Sequence, residues 1–215
     1  MSGRSPRWIQ KISRGTPLGD IEVGTLVNLN EHGSPVEFYV AKHDYERALN
    51  GAGRTLLVRK TVYDMRQFGT NNTYADNVLD AFFNGTYLAL LDTTIQTAAG
   101  TTKFYYTDGG TSTALTTLER AVFQLSITEL GITATNMNAE GSALPIANIL
   151  KIATNAAGAA VKQWSRTPYP GGTKYARCLY ETGAGDYDLS TYTYGSRPAL
   201  TLPDDIAVDK DMLIA

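Results

Sequence analysis

From Trp164 to Pro203 the chain is made of short aromatic and β-branched runs cut by Gly and Pro. That pattern permits strands joined by tight turns and little else. The runs are W-S-R-T-P, Y-A-R-C-L-Y and Y-T-Y-G-S-R-P-A-L-T-L-P. Aromatic and β-branched side chains fit a pleated, half-buried surface, and Pro170-Gly171-Gly172 and Gly183-Ala184-Gly185 supply the turns. Six of the thirteen tyrosines lie here: Tyr169, Tyr175, Tyr180, Tyr187, Tyr192 and Tyr194. Tyr interleaved with Ser and Gly is the composition of binding surfaces, because Tyr gives rigid amphipathic area and the small residues give adaptable hydrogen bonding. The six are therefore candidate ligand-binding residues. Alternation along strands divides them between two faces. Tyr169 and Tyr187, nearest the turn glycines, are the ones expected at the surface.

Upstream the pattern is mixed. L-G-D-I-E-V-G-T-L-V-N-L and P-V-E-F-Y-V-A read as strands joined through H-G-S-P, and T-L-L-V-R-K-T-V-Y-D-M-R-Q-F as a third strand. Tyr74, Val78, Leu79, Phe82 and Phe83 recur at helical spacing, with Gly85 as an interruption. Residues 93–117, dense in Thr around Asp108-Gly109-Gly110, read as hairpins and loop. Residues 121–125 read as a short buried strand and 126–143 as irregular. The Ala-rich run Ile146–Val161 reads as a helix weakened by Thr154-Asn155 and Gly158.

Residues 1–16 form a basic arm with Arg4, Arg7, Lys11 and Arg14 and no acid. Trp8 and Ile12, four apart, share one side of a short helix. The arm is either frayed or a docking segment that packs Trp8 against a neighbouring subunit. One domain is expected over 17–206, followed by a short acidic tail over 207–215.

Apolar residues make up 43% of the 215, enough for a sizeable core, and the net charge of −2 gives no basic excess for nucleic acid. Apolar runs such as Leu88–Leu91 are too short to span a bilayer. The N-terminal stretch has no apolar h-region, so no secretory signal is read. Cys178 alone excludes an intrachain disulfide, and one Cys with His32 and His43 does not make a tetrahedral zinc site. No cofactor or metal is expected.

Other candidates have plainer readings beside them. His32 and His43 have no second ligand at metal spacing and read as surface or core-rim residues. Asp186 and Asp188 in G-A-G-D-Y-D resemble the start of a calcium loop, but the remaining acceptors are missing and a hairpin turn accounts for them. G-A-G-R at 51–54 does not extend to a phosphate-binding loop. Cys178 reads as a buried thiol. Arg166 and Arg197 each stand near a proline after an aromatic run. They either contact ligand or satisfy several loop carbonyls through their five donors, and the second role is favoured.

These motifs, taken in order, carry a resemblance. L-G-D-I-E-V-G-T, L-D-T-T-I at 91–95, F-Q-L-S-I-T-E-L-G at 123–131, W-S-R-T-P at 164–168 and G-S-R-P-A-L-T-L-P are similar to a domain family of undefined function found in bacterial surface proteins and tailed-phage virion proteins. That family looks related to the C-type-lectin-like fold, which is shared with sulfatase-modifying enzymes and variable ligand-binding proteins. The resemblance implies an α+β domain in which small antiparallel sheets are flanked by two helices. Long irregular loops carry the ligand surface, and Trp164, Arg166 and Arg197 are framework residues. The oxidase branch holds copper with a pair of cysteines, and this chain has only Cys178.

The expected function is thus non-enzymatic: a bacteriophage virion surface protein of tail, baseplate, fibre or capsid. Its lectin-like module would recognise a host saccharide or protein. The expected partners are other virion proteins and further copies of the chain, as a trimer by analogy with related virion proteins. Membrane insertion and nucleic-acid binding are not expected. The alternatives are a purely structural decoration or assembly subunit and, remotely, a formylglycine-generating-type oxidase.

Overall fold

Two neighbouring strands leave one sheet together and enter another, and the residues at that crossing organise the molecule. The computed structural model describes residues 15–214. Its larger sheet has six strands in the order Leu213–Ile214, Leu26–Glu31, Ser34–Lys42, Arg54–Arg59, Ala199–Pro203, Val122–Phe123. The smaller has five, in the order Gly185–Leu189, Tyr175–Leu179, Gln163–Pro168, Thr193–Ser196, Asp64–Gln67. Arg54–Arg59 and Ala199–Pro203 pair antiparallel in the first sheet, and their continuations Asp64–Gln67 and Thr193–Ser196 pair antiparallel in the second. A two-stranded ribbon thus bends between the sheets at residues 60–63 and 197–198. The fold is mixed, and mostly sheet.

Arg197 pins the bend. It is 2% exposed. Its Nε donates to the Arg59 carbonyl (2.7 Å), Nη2 to the Lys60 carbonyl (2.8 Å) and Nη1 to the Leu150 carbonyl (2.8 Å). A rigid fork of five donors suits such converging carbonyls. Burial pushes its pKa down to about 10. Gln124 adds the next tie: its Oε1 accepts from the Arg197 amide (3.0 Å) and its Nε2 donates to the Trp164 carbonyl (2.6 Å). Trp164 is buried against Phe68 and Tyr194, with Nε1 donating to the Arg66 carbonyl at 2.9 Å.

Arg166 lies deeper, at 0% exposure. It donates to Glu129 Oε2 (2.6 Å), twice to the Tyr105 carbonyl (3.1 and 3.0 Å) and once to the Gln124 carbonyl (3.1 Å). Glu129 also accepts from the Tyr45 hydroxyl (2.5 Å) and the Ser126 amide (2.8 Å), while the Glu129 amide donates back to Ser126 Oγ (3.1 Å). The reciprocal Ser126–Glu129 pair is a capping box set on a turn. Burial and then Glu129 push the Tyr45 hydroxyl well above its ordinary pKa. Glu140, fully buried nearby, accepts from the Thr107 amide (2.8 Å) and the Thr167 hydroxyl (2.5 Å).

Several elements differ from the sequence expectation. The expected hairpin at H-G-S-P is present, closed by His32 and Gly33 at φ 52° and 72° as a two-residue turn of the type that favours hairpins. Its first strand starts only at Leu26, because Gly24 takes φ 96° and Leu18–Asp20 coils as a 3-10 helix. The single strand expected from Thr55 to Phe68 is two strands. Arg59 Nη1 binds the Thr61 and Val62 carbonyls (3.0 and 2.9 Å) while Nε and Nη2 hold Glu31 (2.9 and 3.1 Å), which turns the chain.

The Val78–Phe82 helix starts at its Asn77 cap, after Tyr74, and runs into a π-turn, Phe83–Tyr87, at Gly85. Thr93–Ala99 is a helix where hairpins and loop are expected, because Ile95 and Ala99 are buried and it packs against the Ala199–Pro203 strand. Only Ala147–Leu150 of the expected Ala-rich helix forms. Asn155 Oδ1 instead accepts from the Ala157 and Ala159 amides (3.0 and 3.1 Å), turning the chain between two short strands.

The segment set apart as a tail is paired into the domain. Ala207–Val208 pairs with Thr16–Pro17, Leu213–Ile214 pairs with Asn28–Leu29, and Val208 and Ile214 are buried. Trp8, Ile12 and nearly all of the basic arm lie outside the described residues.

Arg166→Met leaves Glu129 buried without its cation, so urea denaturation should show a loss of about 3–5 kcal/mol, part of which Glu129→Gln in the same chain restores. Glu140 is different, because burial raises its pKa above the ordinary 4.5. The native state therefore holds that proton more tightly than the unfolded chain does. The resulting stability is complete below the ordinary value and is lost as pH climbs through the raised native value. Glu140→Gln removes this slope. Denaturation between about pH 4 and about pH 8 should show the parent losing ground to the variant as pH rises.

Candidate functional site

The outer strands of the five-stranded sheet divide the tyrosines. Directly paired residues of antiparallel strands share a face, and the register sets Arg177 opposite Tyr187 and Tyr175 opposite Leu189. Tyr175, Arg177 and Tyr187 therefore look one way. Tyr169, just past the Gln163–Pro168 strand, joins them: its ring stacks on Tyr187 at 3.7 Å and 3°, and Tyr175 stands perpendicular to both, at 5.8 Å and 89° from Tyr187. The result is an aromatic corner. Tyr187 is 41% and Tyr175 37% exposed, while Tyr169 is half-buried. The adjacent Tyr169 phenol raises the Tyr187 pKa.

Arg177 lies at the foot of this corner. It is 7% exposed, its Cζ is 5.3 Å from the Tyr169 ring centre, and Nη2 donates to the Thr135 carbonyl at 2.9 Å. Its Nε is buried with no partner. Burial lowers its pKa. Thr135 belongs to the irregular segment that follows the capping box. That segment walls a cleft of ≈ 210 Å³ lined by Thr128, Ile132, Ala134, Met137, Asn138 and Ala143 among others. Ile132 also packs where a side chain at Gly185 would project, at 2.7 Å, so the cleft wall touches the strand that carries Tyr187.

The opposite face is paired internally. The Tyr194 hydroxyl donates to Asp188 at 2.5 Å, the Tyr180 hydroxyl donates to Asp186, and Lys162 Nζ lies 4.4 Å from the Tyr180 ring and 4.9 Å from that of Tyr194. Tyr192 is exposed beside Tyr194. The Asp186 bond pushes the Tyr180 pKa up to about 12, and burial followed by Asp188 raises that of Tyr194. Asp186 and Asp188, the start of the calcium-loop resemblance, thus already accept from phenols. Cys178 is buried opposite Asp186 on the neighbouring strand, and burial pushes its thiol up to about 12, which leaves almost no thiolate at neutral pH.

The other sequence candidates lie apart from the corner. His43 has both ring nitrogens engaged, with Thr55 Oγ1 (2.7 Å) and the Ile21 carbonyl (2.9 Å), and His32 is exposed in its hairpin turn. G-A-G-R at 51–54 leads into a strand. Trp164, Arg166 and Arg197 are in the interior, bonded as described above, and the corner contains none of them. Of the six tyrosines, the structure brings together Tyr169, Tyr175 and Tyr187, and it places Tyr180, Tyr192 and Tyr194 elsewhere. The cleft lining and Arg177 were not singled out from sequence. The Y-A-R spacing, which puts Arg177 on the face of Tyr175, was the available signal, as S-I-T-E was for the turn that builds the wall.

Comparison with known proteins places this arrangement in a family. No curated protein and no solved structure matches the chain significantly. The family model described as a domain of unknown function, DUF6273, matches residues 52–204. That span contains both ribbon crossings, the capping-box turn, the cleft wall and all the strands bearing the tyrosines. Matched over well more than half of its length, the chain belongs to the DUF6273 domain family.

Proposed function

We propose that this domain is a recognition module on a bacteriophage virion, built on a C-type-lectin-like scaffold, which binds a saccharide or protein of the host surface. The observation that carries the reading is the aromatic corner of Tyr169, Tyr175 and Tyr187 beside a cleft walled by an irregular segment. The stacked and perpendicular rings hold each other in place. Ordering them on binding therefore costs little entropy, and most of their contact area becomes affinity. The lectin-like scaffold and the virion location rest on the motif resemblance. An irregular excursion that reaches the tyrosines fits the way such a scaffold carries its ligand surface. Single sites of this size bind weakly. Display as a homo-oligomer, a trimer in this reading, multiplies the effective affinity without new contacts.

A second reading, an assembly subunit, is favoured by the exposed apolar side chains of Met65, Ile149 and Ile152. The two readings separate in an adsorption assay with the assembled oligomer and host cells. Tyr175→Ala and Tyr187→Ala change exposed side chains, so melting temperature should hold while cell binding falls by about tenfold or more per variant. Adsorption unaffected by either change, with the corner buried between subunits in a reconstruction of the particle, would replace recognition by assembly.

A further inference from the structure

We propose that the ligand presents one carboxylate on a sugar ring, and that Arg177 receives it at the foot of the Tyr169–Tyr175–Tyr187 corner. The inference rests on the recognition reading and specifies what is recognised. The buried arginines are satisfied unequally. Arg166 has Glu129 and two backbone carbonyls, and Arg197 spends its donors on three carbonyls. Arg59, Arg66 and Arg120 each pair with a carboxylate. Arg177 is 7% exposed, yet it has a single carbonyl, one ring face and an unpartnered Nε, with no carboxylate within ion-pair distance among the described residues. A buried cation without an anion is costly, and the cost is relieved when a carboxylate arrives with charge-assisted bonds.

The surroundings select the rest of the ligand. Tyr175 and Tyr187, perpendicular and partly exposed, make a floor and a wall, and the C–H face of a pyranose fits against a flat π surface. Arg177 is a single cation with one unpartnered donor, so one carboxylate matches it, while a polyanion or a strongly acidic peptide leaves its further charges unpaired there. A single carboxylate on an otherwise neutral ring meets Arg177 without that penalty. The cleft residues flanking Thr135, Ile132, Ala134 and Met137 among them, give an apolar recess for a substituent of the ring.

The test uses the full chain and oligosaccharides ending in uronic or sialic-type acids, each beside its carboxyl-reduced counterpart, together with acidic peptides. Binding is read by calorimetry and on an array. The acidic sugars should bind, and carboxyl reduction should weaken them about tenfold or more, as should Arg177→Gln. Reduction of the ligand leaves the protein untouched, so a poorly folding Arg177→Gln does not spoil the result. Tyr187→Ala should weaken acidic and reduced sugars equally, because it removes stacking and leaves the charge. Neutral sugars bound as tightly as acidic ones would overturn the carboxylate inference and leave recognition standing, as would preference for the acidic peptides. Failure of every sugar, peptide and host cell to bind would end both.

Discussion

A guanidinium and a carboxylate with no exposure to water stand only if nearly every donor and lone pair around them is satisfied. Arg166 and Glu129 meet that condition by drawing four separate parts of the chain to one point. Tyr105 comes from the Thr102–Thr107 strand, Gln124 from the end of the larger sheet, Ser126 from the capping-box turn and Tyr45 from the loop after Ser34–Lys42. Breaking any one tie leaves a buried charge or carbonyl unsatisfied. Glu140 extends the cluster by holding the Thr107 amide and the Thr167 hydroxyl. Irregular backbone between residues 126 and 143 is thereby given a fixed path with little regular secondary structure of its own.

That path matters because it ends at the aromatic corner. The ribbon that bends at Arg197 aligns Thr193–Ser196 with Gln163–Pro168, and Tyr175–Leu179 and Gly185–Leu189 add to the far side of that strand. The same sheet that holds Arg166 on its central strand therefore carries Tyr175 on the next strand and Tyr187 at the edge. Arg177 joins the two levels, reaching from beneath Tyr169 to the Thr135 carbonyl. Interior charge, excursion and tyrosines form one connected set of contacts, which is how a surface of soft, aromatic chemistry is kept rigid.

What could be read from the sequence was local. The H-G turn, the Gly-rich turns of the last quarter and the alternation that sets Tyr175 and Tyr187 on one face all depend on near neighbours in the chain, and each is present. What could not be read was decided by distant partners. The β-propensity of T-L-L-V-R-K-T-V-Y is continuous, and the break comes from Arg59 reaching Glu31 and its own following carbonyls. The threonines of Thr93–Ala99 argue for strand, and burial of Ile95 and Ala99 decides for helix. Nothing marks Arg177 in Y-A-R-C until the Thr135 carbonyl, forty-two residues earlier, accepts its hydrogen bond. Arg166 and Arg197, whose donors meet converging carbonyls, show that a guanidinium near a turn proline can suggest its chemistry even where its partners stay hidden.

The buried Arg166–Glu129–Glu140 cluster makes the segment after Phe123 as rigid as the sheets. Amide hydrogen exchange reads this at Ser126, which donates to Glu129, at Ile127, which donates to Thr167, and at Glu129, which donates to Ser126. Exchange there should fall within about tenfold of that of the amides in the Gln163–Pro168 strand, since all would open only with the core. Exchange at the rate of freely solvated loop amides would contradict it.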